Sequence, residues 1–402
     1  MIVLISVSGQ AQPRAEPEGV LSFIDVAGNV VQNDLALGHF FQQLHQLKLT
    51  DSGTVNVIHI GDSHIQADLL TEVVRKKLQS EFGNAGRGLV VPGRVAGTNE
   101  PFNIRTSSSG LWTSKRIVHP AKPLPIGVGG ITVSTAAEDA SLAVSMRDSE
   151  MDYRFNRLTL FMANGIRSYS IAVTDSLSVE LARHAPPNEP ERMDAVRFIL
   201  PGLYHQVQLR NIRESEGQSH TTLFGLNLEN GSPGILYHAI GVNGARFDHF
   251  NTAEMFAEQT SFLRPNLIVI SLGTNEAVEY PNLKRDFVRQ IDLLMNNLKK
   301  NNPDASFLLV TPPAAFLRKV KPNPGVEIIR QKILEYAVEN GIAFWDMHKV
   351  AGGAGSAAHW KESGLLRQDG IHFSRNGYAL QGKLLFEAIM KSYDRYVAGR
   401  YP

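Results

Sequence analysis

Two polar blocks far apart in the chain contain side chains suited to acyl chemistry: Gly61-Asp62-Ser63-His64 and Asp369-Gly370-Ile371-His372. Because the chain has no cysteine, the available chemistry uses hydroxyls, imidazoles and carboxylates. Ser63 follows an apolar run and would present its hydroxyl on a tight turn between a strand and a helix. Asp369 can orient the imidazole of His372, three residues later, while the other ring nitrogen faces a hydroxyl. Taken singly, each block also has a structural interpretation, since Asp-Ser commonly caps helices and a lone histidine is more often structural.

Two further blocks offer hydrogen-bond donors for a developing negative charge. Gly241-Val242-Asn243-Gly244-Ala245 closes one apolar run, and its glycines allow a backbone N–H to approach a ligand closely. Gly273-Thr274-Asn275-Glu276 closes another, and the amide of Asn275 is a neutral donor for an oxyanion. The alternatives are an ordinary turn and a helix cap. Together the blocks supply a hydroxyl, a base, an orienting carboxylate and two oxyanion donors.

The elements between these blocks follow the pattern of an α/β protein. Short β-branched or apolar runs predict strands, and apolar residues at helical spacing predict helices after them. The predicted strands cover 54–60, 235–241, 266–272, 306–311 and 342–345, and the predicted helices cover 68–82, 252–263, 283–300, 326–340 and 375–396. Buried strands alternating with amphipathic helices indicate a parallel sheet covered by helices on both faces. The blocks would then lie at strand ends, where open parallel sheets place their active sites.

A long stretch of different character interrupts this alternation. Residues 101–230 contain short segments of period two separated by Gly, Pro, Asn and Asp clusters, with little helical periodicity. This pattern predicts an inserted all-β domain, a sandwich. Residues 20–100 and 231–402 would then form a discontinuous α/β domain. The glycine-rich stretch 352–356 predicts a flexible loop before the last block.

The four blocks, in this order, resemble the SGNH (GDSL-like) hydrolase superfamily. Its four marker residues correspond to Ser63, Gly244, Asn275 and His372, although the first block reads GDSH instead of GDSL. The resemblance implies a three-layer α/β/α sandwich with a parallel, flavodoxin-like sheet. It also implies that Ser63 is the nucleophile, His372 the base and Asp369 its orienting partner. The oxyanion hole would consist of the Ser63 and Gly244 backbone N–H groups and the Asn275 side chain.

A narrower resemblance follows from the position of the insertion between Ser63 and Gly244. An all-β, carbohydrate-binding-like domain at this point, with GDSH in the first block, is similar to the peptidoglycan O-acetylesterases of bacterial cell walls. This implies a serine esterase that removes O-acetyl groups from peptidoglycan through an acyl-enzyme. Xylan or another polysaccharide as substrate, transfer of the acetyl group to a sugar hydroxyl, and a non-catalytic glycan-binding protein are the alternatives. No motif within 101–230 identifies the glycan.

Other polar and aromatic residues near the blocks have less specific roles. Asp62 and His64 adjoin Ser63 and are candidates for shaping a pocket, and Trp360 is a candidate wall for a sugar ring, with simple packing as the alternative. His59 and His359 receive no role. No HExxH or similar array is present, so we expect neither a metal nor another cofactor.

Composition limits the partners and the compartment. A formal charge of +1 on 402 residues, without long runs of one sign, disfavours nucleic acid as a partner. No stretch approaches the ~20 apolar residues of a membrane-spanning helix. The run 1–7 and the small residues Gly9 and Ala11 resemble a truncated signal peptide without its basic segment, within 1–19. We therefore expect a periplasmic or secreted bacterial protein; the sequence does not indicate an oligomeric state.

Overall fold

The computed structural model of the chain describes residues 22–119, 124–147 and 150–400. The expected leader at 1–19 lies outside the described residues, so export stays a prediction. Across the described ranges, no helix has both the length and the apolar character needed to cross a membrane.

The chain begins with a helix, a strand and the first block. A 3₁₀ turn (Asp34–Leu37) precedes α1 (Gly38–Thr50), β1 (Thr54–Gly61), α2 (Ser63–Gln66), α3 (Leu69–Phe82) and β2 (Gly88–Val90). From Val57 to Gly61 every position of β1 is buried, as expected for a strand covered on both faces.

Antiparallel strands follow. They are β3 (Ile104–Ser109), β4 (Thr113–Arg116), β5 (Ile131–Thr135), β6 (Ser141–Met146), β7 (Phe155–Asn164), β8 (Ser170–Thr174), β9 (Glu180–His184), β10 (Arg192–Tyr204), β11 (Gln206–Ile212) and β12 (Thr221–Glu229). They form two sheets, with strand orders β10-β7-β12-β5-β4 and β3-β6-β11-β8-β9. The predicted all-β insertion is confirmed. β2 also pairs with β12, so a strand from 20–100 joins the first sheet; the exact domain boundaries stay a prediction.

The α/β pattern then resumes. The strands are β13 (Gly234–Gly241), β14 (Leu267–Ser271), β15 (Ser306–Val310), β16 (Phe316–Leu317), β17 (Lys321–Pro322) and β18 (Ala343–Trp345). The helices are α4 (Phe247–Asn251), α5 (Phe256–Thr260), α6 (Thr274–Val278), α7 (Phe287–Asn301), α8 (Pro324–Glu339), α9 (Met347–Val350), α10 (Ser356–Glu362) and α11 (Arg375–Arg400).

A parallel sheet of order β13-β1-β14-β15-β18 lies at the centre of this part. Helices α1, α3 and α11 bury their apolar side chains on one face, with Phe41, Val74 and Ile389 in a common cluster. Helices α7 and α8 cover the other face through Ile291 and Ile329. The three-layer α/β/α fold with a parallel sheet is therefore confirmed.

The apolar cluster on the second face continues into the β-sandwich. Ile60 of β1, Ile291 of α7 and Leu160 of β7 belong to the same group of buried residues. Burial of apolar surface stabilises contacts by about 25 cal/mol per Å², so this continuity fixes the sandwich against the α/β part.

One predicted helix is wrong. The range 252–263 contains no single helix; instead α4 ends at Asn251, α5 begins at Phe256, and a 3₁₀ turn covers Ser261–Leu263. The hydroxyl of Thr252 donates to the His249 carbonyl, a local bond that competes with continuing the helix. The rings of Phe250 and Phe256 then pack 4.8 Å apart between their centroids, which stabilises the bend.

Candidate active site

The order of the parallel sheet brings three of the blocks together. Strand β1 lies between β13 and β14, with Gly61 in register with Gly241 on one side and with Ser271 on the other. The segments that follow these strands carry Ser63, Gly244 and Asn275. Their convergence at the carboxyl edge of the sheet follows from the topology, as in other open parallel sheets.

Ser63 is the first residue of the short helix α2. Asp62 precedes it as the N-cap, and its Oδ1 accepts a hydrogen bond of 2.9 Å from the His64 N–H. This cap fixes the turn and directs the Ser63 hydroxyl out of the sheet edge. The Ser63 Oγ lies 2.8 Å from Nε2 of His372, which is hydrogen-bond distance for a nucleophile and its base.

His372 is held in place by Asp369. Its Nδ1 lies 3.1 Å from Oδ2 of Asp369, while Oδ1 accepts the backbone N–H groups of Ile371 and His372, each at 2.8 Å. Partial burial would raise the pKa of Asp369, but these hydrogen bonds outweigh it and lower the pKa. With an ionised Asp369 accepting from Nδ1–H, Nε2 is left to accept the Ser63 hydroxyl proton.

A glycine makes this tight loop possible. Gly370, between Asp369 and His372, has a φ of 76°, a conformation that favours glycine. A Cβ at this position would also approach the Cβ of Phe316 to 2.9 Å. The spacing of Asp369 and His372 therefore depends on Gly370.

The two predicted oxyanion donors lie on either side of Ser63. Gly244 is exposed with a φ of 80°, and no acceptor for its N–H occurs within the described ranges. The Asn275 amide nitrogen donates to the Ala245 carbonyl at 2.9 Å and to Oδ2 of Asp62 at 3.2 Å. An oxyanion would therefore have to replace one acceptor of Asn275, and the bond to Asp62 is the longer of the two.

Gln66 is a residue that sequence reasoning missed. Its Oε1 accepts the Asn243 N–H at 2.5 Å, and its Nε2 donates to the Thr98 hydroxyl at 2.8 Å and the Asn99 carbonyl at 3.1 Å. The side chain thus connects the helix of Ser63 to the turn that carries Gly244. Its position one turn after Ser63 was the available sequence signal, since residues three apart share a helix face.

The residues next to Ser63 are buried behind the site. Asp62 is 1% exposed, and burial raises its pKa to about 7 despite the backbone hydrogen bond from His64. His64 is 7% exposed and bonds the Tyr378 hydroxyl through Nδ1 at 3.0 Å. Burial, and then the charge of nearby His372, lower the pKa of His64 to about 3, so its imidazole is neutral. Both side chains support the site from behind and do not line an open pocket.

The predicted role of Trp360 is wrong. Its side chain is 1% exposed and donates its indole N–H to the Ala351 carbonyl at 2.9 Å. Its ring packs edge-on against Phe373, with centroids 5.1 Å apart. Trp360 lies in helix α10 with its ring turned inward, so it supports Phe373, the residue after His372.

The two histidines without a predicted role are bonded or packed elsewhere. His59 is fully buried in β1, between the Tyr237 and Ser271 hydroxyls, each 2.7 Å away. His359 is largely exposed and stacks on Phe23. Among the residues the structure describes, no three His, Asp or Glu side chains are grouped as metal ligands would be.

An open cavity of about 430 Å³ adjoins α2, with Ala67, Arg94, Phe102 and Arg147 in its lining. The ring of Phe102 is 60% exposed. Guanidinium groups lie near it, that of Arg147 at 5.6 Å and that of Arg375 at 5.2 Å from the ring centroid. Arg375 begins the helix after His372, so this cationic and aromatic surface borders the site.

Comparison with known proteins identifies related sequences and folds. Residues 214–380 match the GDSL-like Lipase/Acylhydrolase family. The fold is similar to that of a peptidoglycan O-acetylesterase, with a TM-score of 0.75 and 21% identity over 89% of this chain and 96% of that chain. This likeness extends over the parallel and antiparallel sheets together.

Weaker likenesses are found to a lipase/acylhydrolase from Enterococcus faecalis (TM-score 0.30, 19% identity, 41% of this chain and 77% of that chain). A family two carbohydrate esterase from Cellvibrio japonicus is likewise similar (TM-score 0.30, 11% identity, 72% and 99%). No curated protein matched the sequence.

Proposed function

We propose that the chain is an ester hydrolase of the GDSL-like lipase/acylhydrolase family, whose model matches residues 214–380, and that it removes O-acetyl groups from peptidoglycan. Ser63 is the nucleophile, His372 the general base and Asp369 the residue that orients it. The observation that carries this assignment is the unbroken series of contacts from Asp369 to His372 to Ser63, at 3.1 and 2.8 Å.

The reaction has two acyl-transfer steps. Nε2 of His372 takes the Ser63 proton as Oγ attacks the acetyl carbonyl carbon, forming a tetrahedral oxyanion. The Ser63 and Gly244 N–H groups and the Asn275 amide donate to that oxyanion. As the carbonyl reforms, the bond to the sugar oxygen breaks and His372 gives its proton to the leaving sugar hydroxyl.

Deacylation repeats the sequence with water. His372 takes a proton from water as its oxygen attacks the acetyl-Ser63 carbonyl, and the second oxyanion uses the same donors. The bond to Ser63 Oγ then breaks, His372 returns the proton to that oxygen, and acetate leaves. Each cycle thus consumes one ester and one water and regenerates the free hydroxyl.

A cell-wall glycan is supported as substrate by two observations. The similar peptidoglycan O-acetylesterase shares both the α/β part and the antiparallel sheets. The cavity beside α2 is open and bordered by Arg94, Arg147 and the exposed ring of Phe102, groups that suit a sugar ring with carboxylate neighbours. Such a substrate places the enzyme outside the cytoplasm, in keeping with the expected leader at 1–19.

The direct test is acetate release from O-acetylated peptidoglycan compared with O-acetylated xylan, at matched ester concentration. We expect faster release from peptidoglycan, and strict preference for xylan would overturn the substrate. Product analysis with an acceptor sugar distinguishes hydrolysis from acetyl transfer, since transfer gives an acetylated acceptor. Labelling of Ser63 by a serine-reactive phosphonate would exclude a purely glycan-binding protein.

A further inference from the structure

A second groove lies between the sheet formed by β10, β7 and β12 and the neighbouring α/β part. We call it the sheet-face groove; its volume is about 720 Å³, and Thr54 and Asn56 at the start of β1 form part of its opposite wall. Ser63 follows the far end of the same strand. The eight residues of β1, at a rise of about 3.3 Å each, place Thr54 about 23 Å from Gly61, two residues before Ser63, so the groove is separate from the proposed active site.

Strand register places polar side chains in rows across the groove floor. Thr159 of β7 pairs with Arg197 of β10 on one side and with Asn227 of β12 on the other. Arg157, two residues before Thr159, pairs with Glu229. Since directly paired residues and residues two apart point to the same face, these side chains form one continuous polar surface.

The arginines of the groove lack carboxylate partners, whereas its carboxylates have polar contacts. Arg157, Arg197 and Arg264 line the groove, and none forms an ion pair with another described residue. Asp194 accepts from the Asn164 amide and the Ala195 N–H, and Glu229 accepts from the Asn227 amide. The groove therefore presents guanidinium groups that are free to bind external carboxylates.

Two oxygens in the groove floor also lack partners. Oγ1 of Thr159 and Oδ1 of Asn227 are buried and have no hydrogen-bond donor within the described residues, and each side chain is 6% exposed. An unpaired buried acceptor costs about 1–3 kcal/mol. A hydroxyl donor that reached these oxygens would remove that cost, which is the behaviour of a ligand site.

An aromatic ring completes the wall. Phe262 is 42% exposed and stacks on the buried Phe161, with ring centroids 6.5 Å apart and planes inclined by 26°. This arrangement holds the exposed ring in a fixed plane beside the polar rows. A rigid apolar plate next to hydroxyl and amide groups matches a sugar ring, which has apolar C–H faces and polar edges.

We propose that the sheet-face groove binds a carboxylate-bearing polysaccharide chain, and that it does so independently of ester hydrolysis. The unpaired arginines bind the carboxylates, the floor oxygens accept sugar hydroxyls, and Phe262 packs on a ring face. Binding here holds a long glycan more than about 20 Å from the nucleophile, so a polymer is retained while Ser63 acts on another part of the same polymer.

The proposal is tested by binding of the full-length protein to polygalacturonate, which carries carboxylates but no esters. Matched probes are the same polymer with its carboxylates reduced to alcohols, and a single-stranded oligonucleotide. We expect micromolar-range or weaker binding of polygalacturonate that falls with added salt. The reduced polymer and the oligonucleotide should bind at least about tenfold more weakly.

Variants locate the binding. Arg157→Gln and Arg197→Gln should each weaken polygalacturonate binding about tenfold, the loss expected for one charge-assisted hydrogen bond. Arg210→Gln is the matched control, since Arg210 is exposed on β11 in the other sheet, and it should bind as the wild type does. Hydrolysis of a chromogenic acetate ester should be unchanged in all three.

Thr159→Val tests the groove floor without charge effects. It removes an unpaired buried hydroxyl, so stability should be unchanged or higher while polygalacturonate binding weakens several-fold. Wild-type affinity in the Arg157/Arg197 double variant or in Thr159→Val would overturn the assignment of the groove. If the carboxyl-reduced polymer bound as tightly as polygalacturonate, recognition of carboxylates would be wrong. If the oligonucleotide bound more tightly than polygalacturonate and lost that binding in the same variants, a glycan would be the wrong ligand.

Discussion

Gln66 bonds the Asn243–Gly244 turn, which carries one of the proposed oxyanion donors, and replacing Gln66 by methionine separates a positioning role from simple packing. Methionine has a similar length but can neither accept the Asn243 N–H nor donate to Thr98 and Asn99, the bonds that Gln66 makes at 2.5, 2.8 and 3.1 Å. The side chain is 7% exposed, so water does not readily replace these partners. The Asn243–Gly244 turn is then free to move relative to Ser63.

The expected size of the effect follows from the bonds removed. At about 1 kcal/mol net for each hydrogen bond, Gln66→Met should lower the unfolding free energy by about 3 kcal/mol. Deleting an oxyanion donor costs about 10²–10³ in kcat. Because Gly244 would be misplaced and not removed, we expect a loss of about 10- to 100-fold.

The assay is steady-state hydrolysis of a chromogenic acetate ester, with urea unfolding of the same samples. The fall should appear in kcat with little change in KM, because the oxyanion forms only in the transition state. Gln66→Glu, which keeps an acceptor for Asn243, should retain more activity than Gln66→Met. Gln42→Met on the exposed side of α1 serves as control. Loss of stability with unchanged kcat would refute the positioning role of Gln66.

Further perturbations give separate expectations. Asp369→Asn should lower kcat by about 10⁴, since the imidazole loses its orienting carboxylate; a loss under tenfold would contradict that role. Asn275→Ala should lower kcat by about 10²–10³ with stability measured in parallel, and unchanged kcat would remove it from the oxyanion hole. Burial raises the pKa of Glu276 to about 7 from 4.5. The folded state therefore holds the carboxyl proton of Glu276 more tightly than the unfolded state does, and the free energy of unfolding falls as pH rises between those values. Between pH 4 and pH 8 the unfolding free energy of Glu276→Gln should therefore rise by about 3 kcal/mol relative to that of the wild type. Urea unfolding at the two pH values measures this difference, and the exposed control Glu254→Gln should show no such change.

Much of the α/β part could be predicted because its strands are buried on both faces. Continuous apolar runs ending in glycine or proline, such as 266–272, are hard to place elsewhere than in a covered parallel sheet. The predicted helix at 252–263 is wrong because apolar periodicity carries no information about the local bond from the Thr252 hydroxyl to the His249 carbonyl. The shared core between the sandwich and the sheet likewise depends on contacts distant in sequence.

In the candidate site, too, some residues could be predicted from the sequence and others could not. Ser63, Asp369 and His372 could be chosen because their chemistry is specific and their blocks lie at strand ends. Trp360 was misplaced because an aromatic residue looks alike in sequence whether it faces a ligand or, as here, the core. The connection from Gln66 to Asn243 crosses the whole insertion, and no local pattern encodes such a pairing.

Ser63 is the residue on which the proposed chemistry depends. The most direct measurement is kcat/KM for a chromogenic acetate ester in wild type and Ser63→Ala, with folding of the variant checked by urea unfolding. We expect Ser63→Ala to lose about 10⁴-fold or more in kcat/KM. Among the described residues, the Ser63 hydroxyl is the one that lies within hydrogen-bond distance of His372 Nε2, at 2.8 Å. A folded Ser63→Ala protein that retains activity within about tenfold of the wild type would contradict nucleophilic catalysis by Ser63.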